Sequence, residues 1–290
     1  MITRQPHPLF RFCYYPVSWL MQVIARSIAV GFFCLPAKRR ESVRFYRILF
    51  PGKSALYHRL CAFYQFQNFT TIHLDRMALK ILPERILYRS EGLDSLRNIN
   101  KQTGAIILQS HLGNWDIAAH LLQDQGLDIR LLLYMGIKEK EKVEHHQKEQ
   151  LRGSGIRIIG VSQDGGSPFD GVDGINHLRS GGVVSMTGDM LWQEGQRGVE
   201  VDFLGHRAKI PTAPYIFALL TGAPLLPFFT LRTGRNQYSF TLEQPILLKE
   251  TSRKEREKNI RQAAQQYADL LAQTLRRYPF QWYHFDRFLA

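Results

Sequence analysis

Seven consecutive residues, Ser110-His111-Leu112-Gly113-Asn114-Trp115-Asp116, put a histidine and an aspartate five positions apart. An alcohol is a poor nucleophile until its proton is removed, and a histidine titrating near neutrality is the usual base, contributing on the order of 10²–10⁴ in rate. A carboxylate beside the imidazole fixes its tautomer and stabilises the imidazolium. Were the acyl donor a thioester, such a hydroxyl could attack it directly, and no nucleophile on the protein would be needed. The sequence offers no convincing one: there is no GxSxG motif and no cysteine near this segment. His111 is thus a candidate general base and Asp116 its candidate partner. Taken alone the pattern is short, and a histidine that merely caps a strand end fits it equally well.

The surrounding elements decide whether the pair can meet. Residues 104–110, Gly-AIILQ-Ser, are a short apolar run suited to a buried strand, and 115–124 has helical spacing. His111 then falls at the carboxyl end of a strand, where open α/β sheets place their sites. Asp116 falls in the first turns of the next helix, and the irregular turn between lets the carboxylate swing under the ring. Further strands are expected at 129–135, 155–161, 183–187, 223–230 and 237–243, with helices at 138–152 and 213–220, and a glycine-rich loop at 164–174. Ser252 and Glu255 form a capping box before an amphipathic helix carrying Ile260, Ala264, Tyr267, Leu271 and Leu275. Strands alternating with helices predict an α/β domain over 91–290, with a central mixed, largely parallel sheet flanked by helices.

Residues 1–90 read differently. They are mostly helical, broken near Leu35-Pro36 and at Phe50-Pro51-Gly52, and rich in aromatic side chains. The chain has a net charge of +13, and residues 1–60 contain ten Lys/Arg against one acid, Glu41. Arg26 and Lys38-Arg39-Arg40 lie among Phe10, Trp19, Leu20, Ile24, Ile28 and Phe32. Such a basic, apolar stretch suits an anionic membrane surface better than nucleic acid. Residues 17–35 approach the length of a span, but a central arginine costs about 2.5–3.5 kcal/mol on insertion scales, which favours an interfacial helix over a single N-terminal anchor. The three cysteines, Cys13, Cys34 and Cys61, form neither a disulfide framework nor a metal pair.

The segment Ile106–Ile117 resembles the HxxxxD/E motif of the lysophospholipid acyltransferase superfamily, and is most similar to the bacterial lipid A biosynthesis acyltransferases, whose motif commonly reads H-x-G-N-W-E. The likeness continues, in order, through Asn68–Arg76, Gly182–Asp189, Val201–Gly205, Pro211–Ala213, Leu219–Pro227 and Tyr278–Phe285. This resemblance implies a glycerolipid-acyltransferase-like fold and a helical, membrane-associated N-terminal section. It implies an acyltransferase taking its acyl chain from acyl carrier protein or CoA, used as co-substrate without a further cofactor or metal. The acceptor would be a hydroxyl of a lipid A precursor or similar lipid, at the cytoplasmic face of a bacterial inner membrane. Carried over, His111 is the base and Asp116 its partner. Gly113, Asn114, Asp189, Arg197 and Lys209 fall to substrate contact. Asp116 stands where the lipid A branch usually has Glu, which leaves the acceptor open to a glycolipid, an amino-acid lipid or a polyene lipid. A non-catalytic membrane scaffold on the same fold is the remaining alternative.

Other chemistry-bearing residues have plainer explanations. Glu194-Gly-Gln-Arg197 imitates an E-G-x-R block but lies beyond the strand end that Asp189 already occupies. His145 and His146 read as solvated surface, and Asp164, Asp170 and Asp173 as turn residues. Arg207 joins Lys209 as a candidate contact for phosphate or carrier protein. Trp282, Tyr283, Phe285 and Phe288 form either an interfacial belt or C-terminal packing.

Overall fold

The computed structural model describes residues 8–81, 87–100, 102–114, 117, 130–137, 157–162, 168–191, 195–248, 252, 254–285 and 288–289. Its centre is a seven-stranded sheet of β1 (Leu87–Glu91), β2 (Ala105–Gln109), β3 (Leu131–Ile137), β4 (Arg157–Ser162), β5 (Val183–Thr187), β8 (Leu225–Gly234) and β9 (Gln237–Leu242), ordered β1-β9-β8-β2-β5-β3-β4. The five strands from β8 to β4 run parallel, and β9 turns back from β8 to pair in parallel with β1. A separate antiparallel hairpin joins β6 (Gly198–Phe203) to β7 (His206–Pro211). The expected mixed, largely parallel sheet is therefore present.

β2 explains why the sheet is covered on both faces. All five of its residues are buried, as in a parallel strand with helices on either side. Ile106 and Leu108 pack into one core with Ala264, Tyr267, Leu271 and Leu275 of the C-terminal helix α7 (Arg256–Arg277). Ala105 and Ile107 enter a second core with Ile117, Phe228 and Phe240.

Around the sheet lie α1 (Pro8–Phe33), α2 (Pro36–Leu49), α3 (Ala55–Ile81), a single turn α4 (Asp94–Arg97), α5 (Pro168–Arg179) and α6 (Ala213–Thr221). The breaks at Leu35-Pro36 and around Pro51 fall between α1, α2 and α3, as the sequence suggests. Two expectations change. Much of the anticipated loop at 164–174 is helix, because α5 starts at Pro168, and proline is tolerated in a first helical turn. Its Gly174 serves packing: a Cβ there would stand 2.3 Å from the Tyr134 hydroxyl and 2.6 Å from the Phe217 ring. At α7, Ser252 and Glu255 bond each other at 3.2 Å in the turn ahead of the helix, and Glu255 takes the cap position without a side-chain capping bond. The expected helices at 115–124 and 138–152 lie outside the described residues, apart from Ile117.

The chain after α7 returns as a strap across the molecule. Pro279, Phe280 and Trp282 give their carbonyls to Tyr46, Asn68 and Gln65 of the N-terminal helices. Leu289 pairs with Ala208 of β7. Trp282 is 1% exposed and wedges between Phe45 and Phe203, with ring centroids at 4.8 and 5.6 Å. It is thus core packing, and the membrane-belt alternative for this residue falls. Trp282→Ala is expected to lower unfolding stability by about 3–5 kcal/mol, read by chemical denaturation. A loss near zero would mean that the strap is not part of the cooperative fold.

Candidate functional site

The site grows out of the β2–β5 register. These strands pair in parallel with Gln109 opposite Thr187, and the ladder continues as Gly188 N–H donates to the Gln109 carbonyl at 2.8 Å. Continuing the same offset by two residues brings His111 opposite Asp189. The two do meet. His111 Nδ1 lies 2.9 Å from Asp189 Oδ1, and the His111 backbone N–H donates to Oδ2 at 2.8 Å.

Local chemistry shapes the turn that presents the ring. Ser110 Oγ accepts the Leu112 N–H at 3.2 Å, a side-chain bond that competes with the strand ladder and ends it. Gly113 follows at φ +87°, and a Cβ there would be 1.9 Å from the Thr230 carbonyl, so only glycine fits. The turn is held from two sides. Leu112 pairs with Trp282, Gly113 N–H donates to Gln281 O and His111 O accepts from Tyr283 N–H, each at 2.8 Å. On the other side Asn114 N–H donates to Thr230 O at 2.8 Å.

Asp189 is fully buried. An unpaired carboxylate there would be very costly. Burial alone raises its pKa, but the attraction of His111, its hydrogen bond, nearby His284 and the Trp282 indole N–H override that and hold the carboxyl below its usual value. Trp282 Nε1 donates to Oδ2 at 3.0 Å. A depressed carboxyl pKa stabilises the fold above its unfolded value of 3.8, and that contribution disappears as pH falls through the lower folded value. An ionised carboxylate has no proton to give, so the neutral imidazole carries its proton on Nδ1. Nε2 then bears the lone pair, and the ring, itself partly exposed, can take a proton from a hydroxyl.

The sequence-based candidates fare differently. His111, Gly113, Asn114 and Asp189 gather at the carboxyl ends of β2 and β5, with Asp189 bonded to the histidine rather than standing apart for substrate. Asp116 and Glu194 lie outside the described residues. Arg197 and Lys209 are exposed on or beside the β6–β7 hairpin, where Lys209 pairs across from Glu200. Sequence reasoning missed Trp282 as the third donor to Asp189. It placed Asp189 at substrate and missed it as a direct hydrogen-bond partner of His111, a contact whose signal is the strand register, readable once β2 and β5 are known to be neighbours. Among the described residues no cluster of three or more His, Cys, Asp or Glu could hold a metal ion.

The family model for bacterial lipid A biosynthesis acyltransferases matches residues 8–289. Two curated relatives, both named phosphatidylinositol mannoside acyltransferase and from two strains of Mycobacterium tuberculosis, are 30% identical over 149 residues. That match covers 50% of this chain and 44% of each relative, so the chain spans less than half the length of the relatives it matches.

Replacing Asp189 by Asn removes the charge that stabilises an imidazolium and allows the other ring tautomer. Asp189→Asn is expected to lower acyl transfer by on the order of 10³–10⁴, measured per folded molecule. A rate within about tenfold of wild type would mean that the pair does not assist proton transfer.

Proposed function

The chain belongs to the bacterial lipid A biosynthesis acyltransferase family, and from that membership we propose that it moves a fatty acyl chain from a thioester of acyl carrier protein or CoA to a hydroxyl of a lipid A precursor or similar lipid. The observation that carries this reading is the His111–Asp189 pair at the ends of two parallel strands. His111 Nε2 takes the proton of the acceptor hydroxyl as its oxygen attacks the thioester carbonyl. The tetrahedral intermediate then collapses, the C–S bond breaks, and the imidazolium returns its proton to the departing thiolate. The products are an ester and a free thiol, with no acyl-enzyme. Asp189 stabilises the imidazolium from the Nδ1 side, and Asp116, five residues on in the sequence, is assigned with His111 as the second catalytic carboxylate. Gly113 and Asn114, which follow the ring in the same turn, are assigned to substrate contact, and Arg197 and Lys209 to anionic groups of donor or acceptor.

The N-terminal helices support a location at the cytoplasmic face of a bacterial inner membrane. Among the described residues no single helix is long and apolar enough to cross a bilayer, although Trp19–Phe33 and Pro36–Leu49 pass that test together across a 92° bend. Ala25 and Ala29 of α1 are buried, and α1 packs on α3. Leu20, Ile24 and Ile28 are exposed at helical spacing on α1, as are Leu56, Leu60 and Tyr64 on α3. Exposed Arg26, Arg40 and Arg59 accompany these stripes. An apolar face with basic neighbours favours a shallow seat in an anionic lipid surface.

A glycolipid other than lipid A is the second reading for the acceptor. It is favoured by the relatives named phosphatidylinositol mannoside acyltransferases and by Asp116 in place of the usual Glu. The test is transfer of a labelled acyl chain, from acyl carrier protein and separately from CoA, into defined lipids with and without a saccharide headgroup. Wild type is expected to label a saccharide lipid and His111→Ala to label none, with both proteins melting alike. Full activity in His111→Ala would remove the histidine from the mechanism. No transfer from either donor would move the reading to a membrane-bound scaffold.

A further inference from the structure

Behind the catalytic turn lies a buried polar network that the proton-transfer step does not use. Its centre is Asp75 of α3, 5% exposed. One carboxylate oxygen, Oδ2, accepts from Arg232 Nε at 2.8 Å and from the Tyr238 hydroxyl at 2.5 Å. Both partners lead back to the turn. Tyr238 gives its only hydroxyl proton to Asp75, so its oxygen can only accept, and Asn114 Nδ2 donates to it at 3.5 Å. Arg232 is gripped through its backbone: its N–H donates to Gln281 Oε1 and its carbonyl accepts from Gln281 Nε2, both at 2.8 Å. The Gln281 carbonyl in turn accepts the Gly113 N–H at 2.8 Å. Two arms therefore run from a single carboxylate to the two adjacent residues, Gly113 and Asn114, that follow His111 and Leu112.

A buried ion pair is weak evidence for stability, because an apolar replacement of similar volume often serves as well or better. What the charge supplies here is direction. An ionised carboxylate can only accept, so it orients the Tyr238 hydroxyl, and that hydroxyl decides which end of the Asn114 amide faces the sheet.

We propose that Asp75 is a positioning residue for acyl transfer, holding the turn at 113–114 through Tyr238 and Arg232 so that His111 meets the acceptor hydroxyl in line. The inference rests on the acyltransferase reading above. It places a kinetic role on α3, the helix whose earlier turns carry the exposed apolar stripe.

The experiment is a double-mutant cycle in the full-length protein with Tyr238→Phe, Asp75→Asn and the pair, using the donor and acceptor that wild type accepts. Tyr238→Phe removes one hydroxyl and leaves the Asp75–Arg232 pair, so it keeps the question answerable if Asp75→Asn does not fold. Each single change is expected to lower kcat per folded molecule on the order of tenfold, since small misplacements at a reacting centre are costly, with KM within about twofold. The double variant is expected to fall no further than the worse single, because residues in one network are not additive. Wild-type kcat in Tyr238→Phe would overturn the proposal. So would losses that multiply in the double variant, which would mark two independent packing defects. A wild type that transfers nothing while binding lipid would defeat the acyltransferase reading itself, and this inference with it.

Discussion

The parallel register of β2 against β5 is the constraint from which the site follows. Side chains alternate along a strand, so a one-residue slip would turn His111 and Asp189 to opposite faces. In the observed register Gln109 faces Thr187, and the next alternate pair is His111 and Asp189. The carboxylate beside the histidine is thus placed by hydrogen bonding between two central strands. Rigid elements locate reacting groups more closely than loops do, and here even the turn is treated as an extension of the sheet.

That extension needs support, since beyond Gln109 the chain leaves the ladder. The support comes from parts distant in sequence. Gly113 and Asn114 dock on Thr230 of β8, and the strap at 281–283 runs antiparallel on the other side. The strap also brings the Trp282 indole to Asp189, so packing and electrostatics share one residue. A buried carboxylate with three hydrogen bonds from His111 and Trp282 stays charged where an unsatisfied one would take up a proton. The N-terminal helices complete the arrangement by holding the strap through Gln65, Asn68 and Tyr46. The N-terminal helices are in this way joined, through the strap, to the turn that carries His111.

Much of this was legible in the sequence, for identifiable reasons. β2, β3, β5 and β8 are apolar runs bounded by turns, β9 alternates apolar with polar residues, and both patterns are local information. The helix at 213–220 and the amphipathic α7 announce themselves by spacing in the same way. The motif around His111 stands out because a histidine, a glycine and an asparagine directly follow a strand. That Asp189 is a partner of that histidine was harder to see. Asp116 is near in sequence, whereas Asp189 is 78 residues away and becomes adjacent only through strand order, which periodicity does not encode. Trp282 was visible as an aromatic residue near the C-terminus, but its indole N–H finds Asp189 only because the strap folds back. The glycines at 171 and 174 misled for a related reason. They look like loop chemistry in one dimension, yet Gly174 is a close approach between α5, Tyr134 and Phe217.

The proposed proton transfer depends on one proton position, on Nδ1 of His111, beside a carboxylate that two strands bring into line. The most direct test is ¹⁵N NMR of the histidine-labelled protein at neutral pH, with His111 assigned by substitution. The neutral His111 ring is expected to be protonated at Nδ1 and unprotonated at Nε2, and Asp189→Asn to disturb this preference. A wild-type His111 protonated at Nε2 and bare at Nδ1 would contradict it.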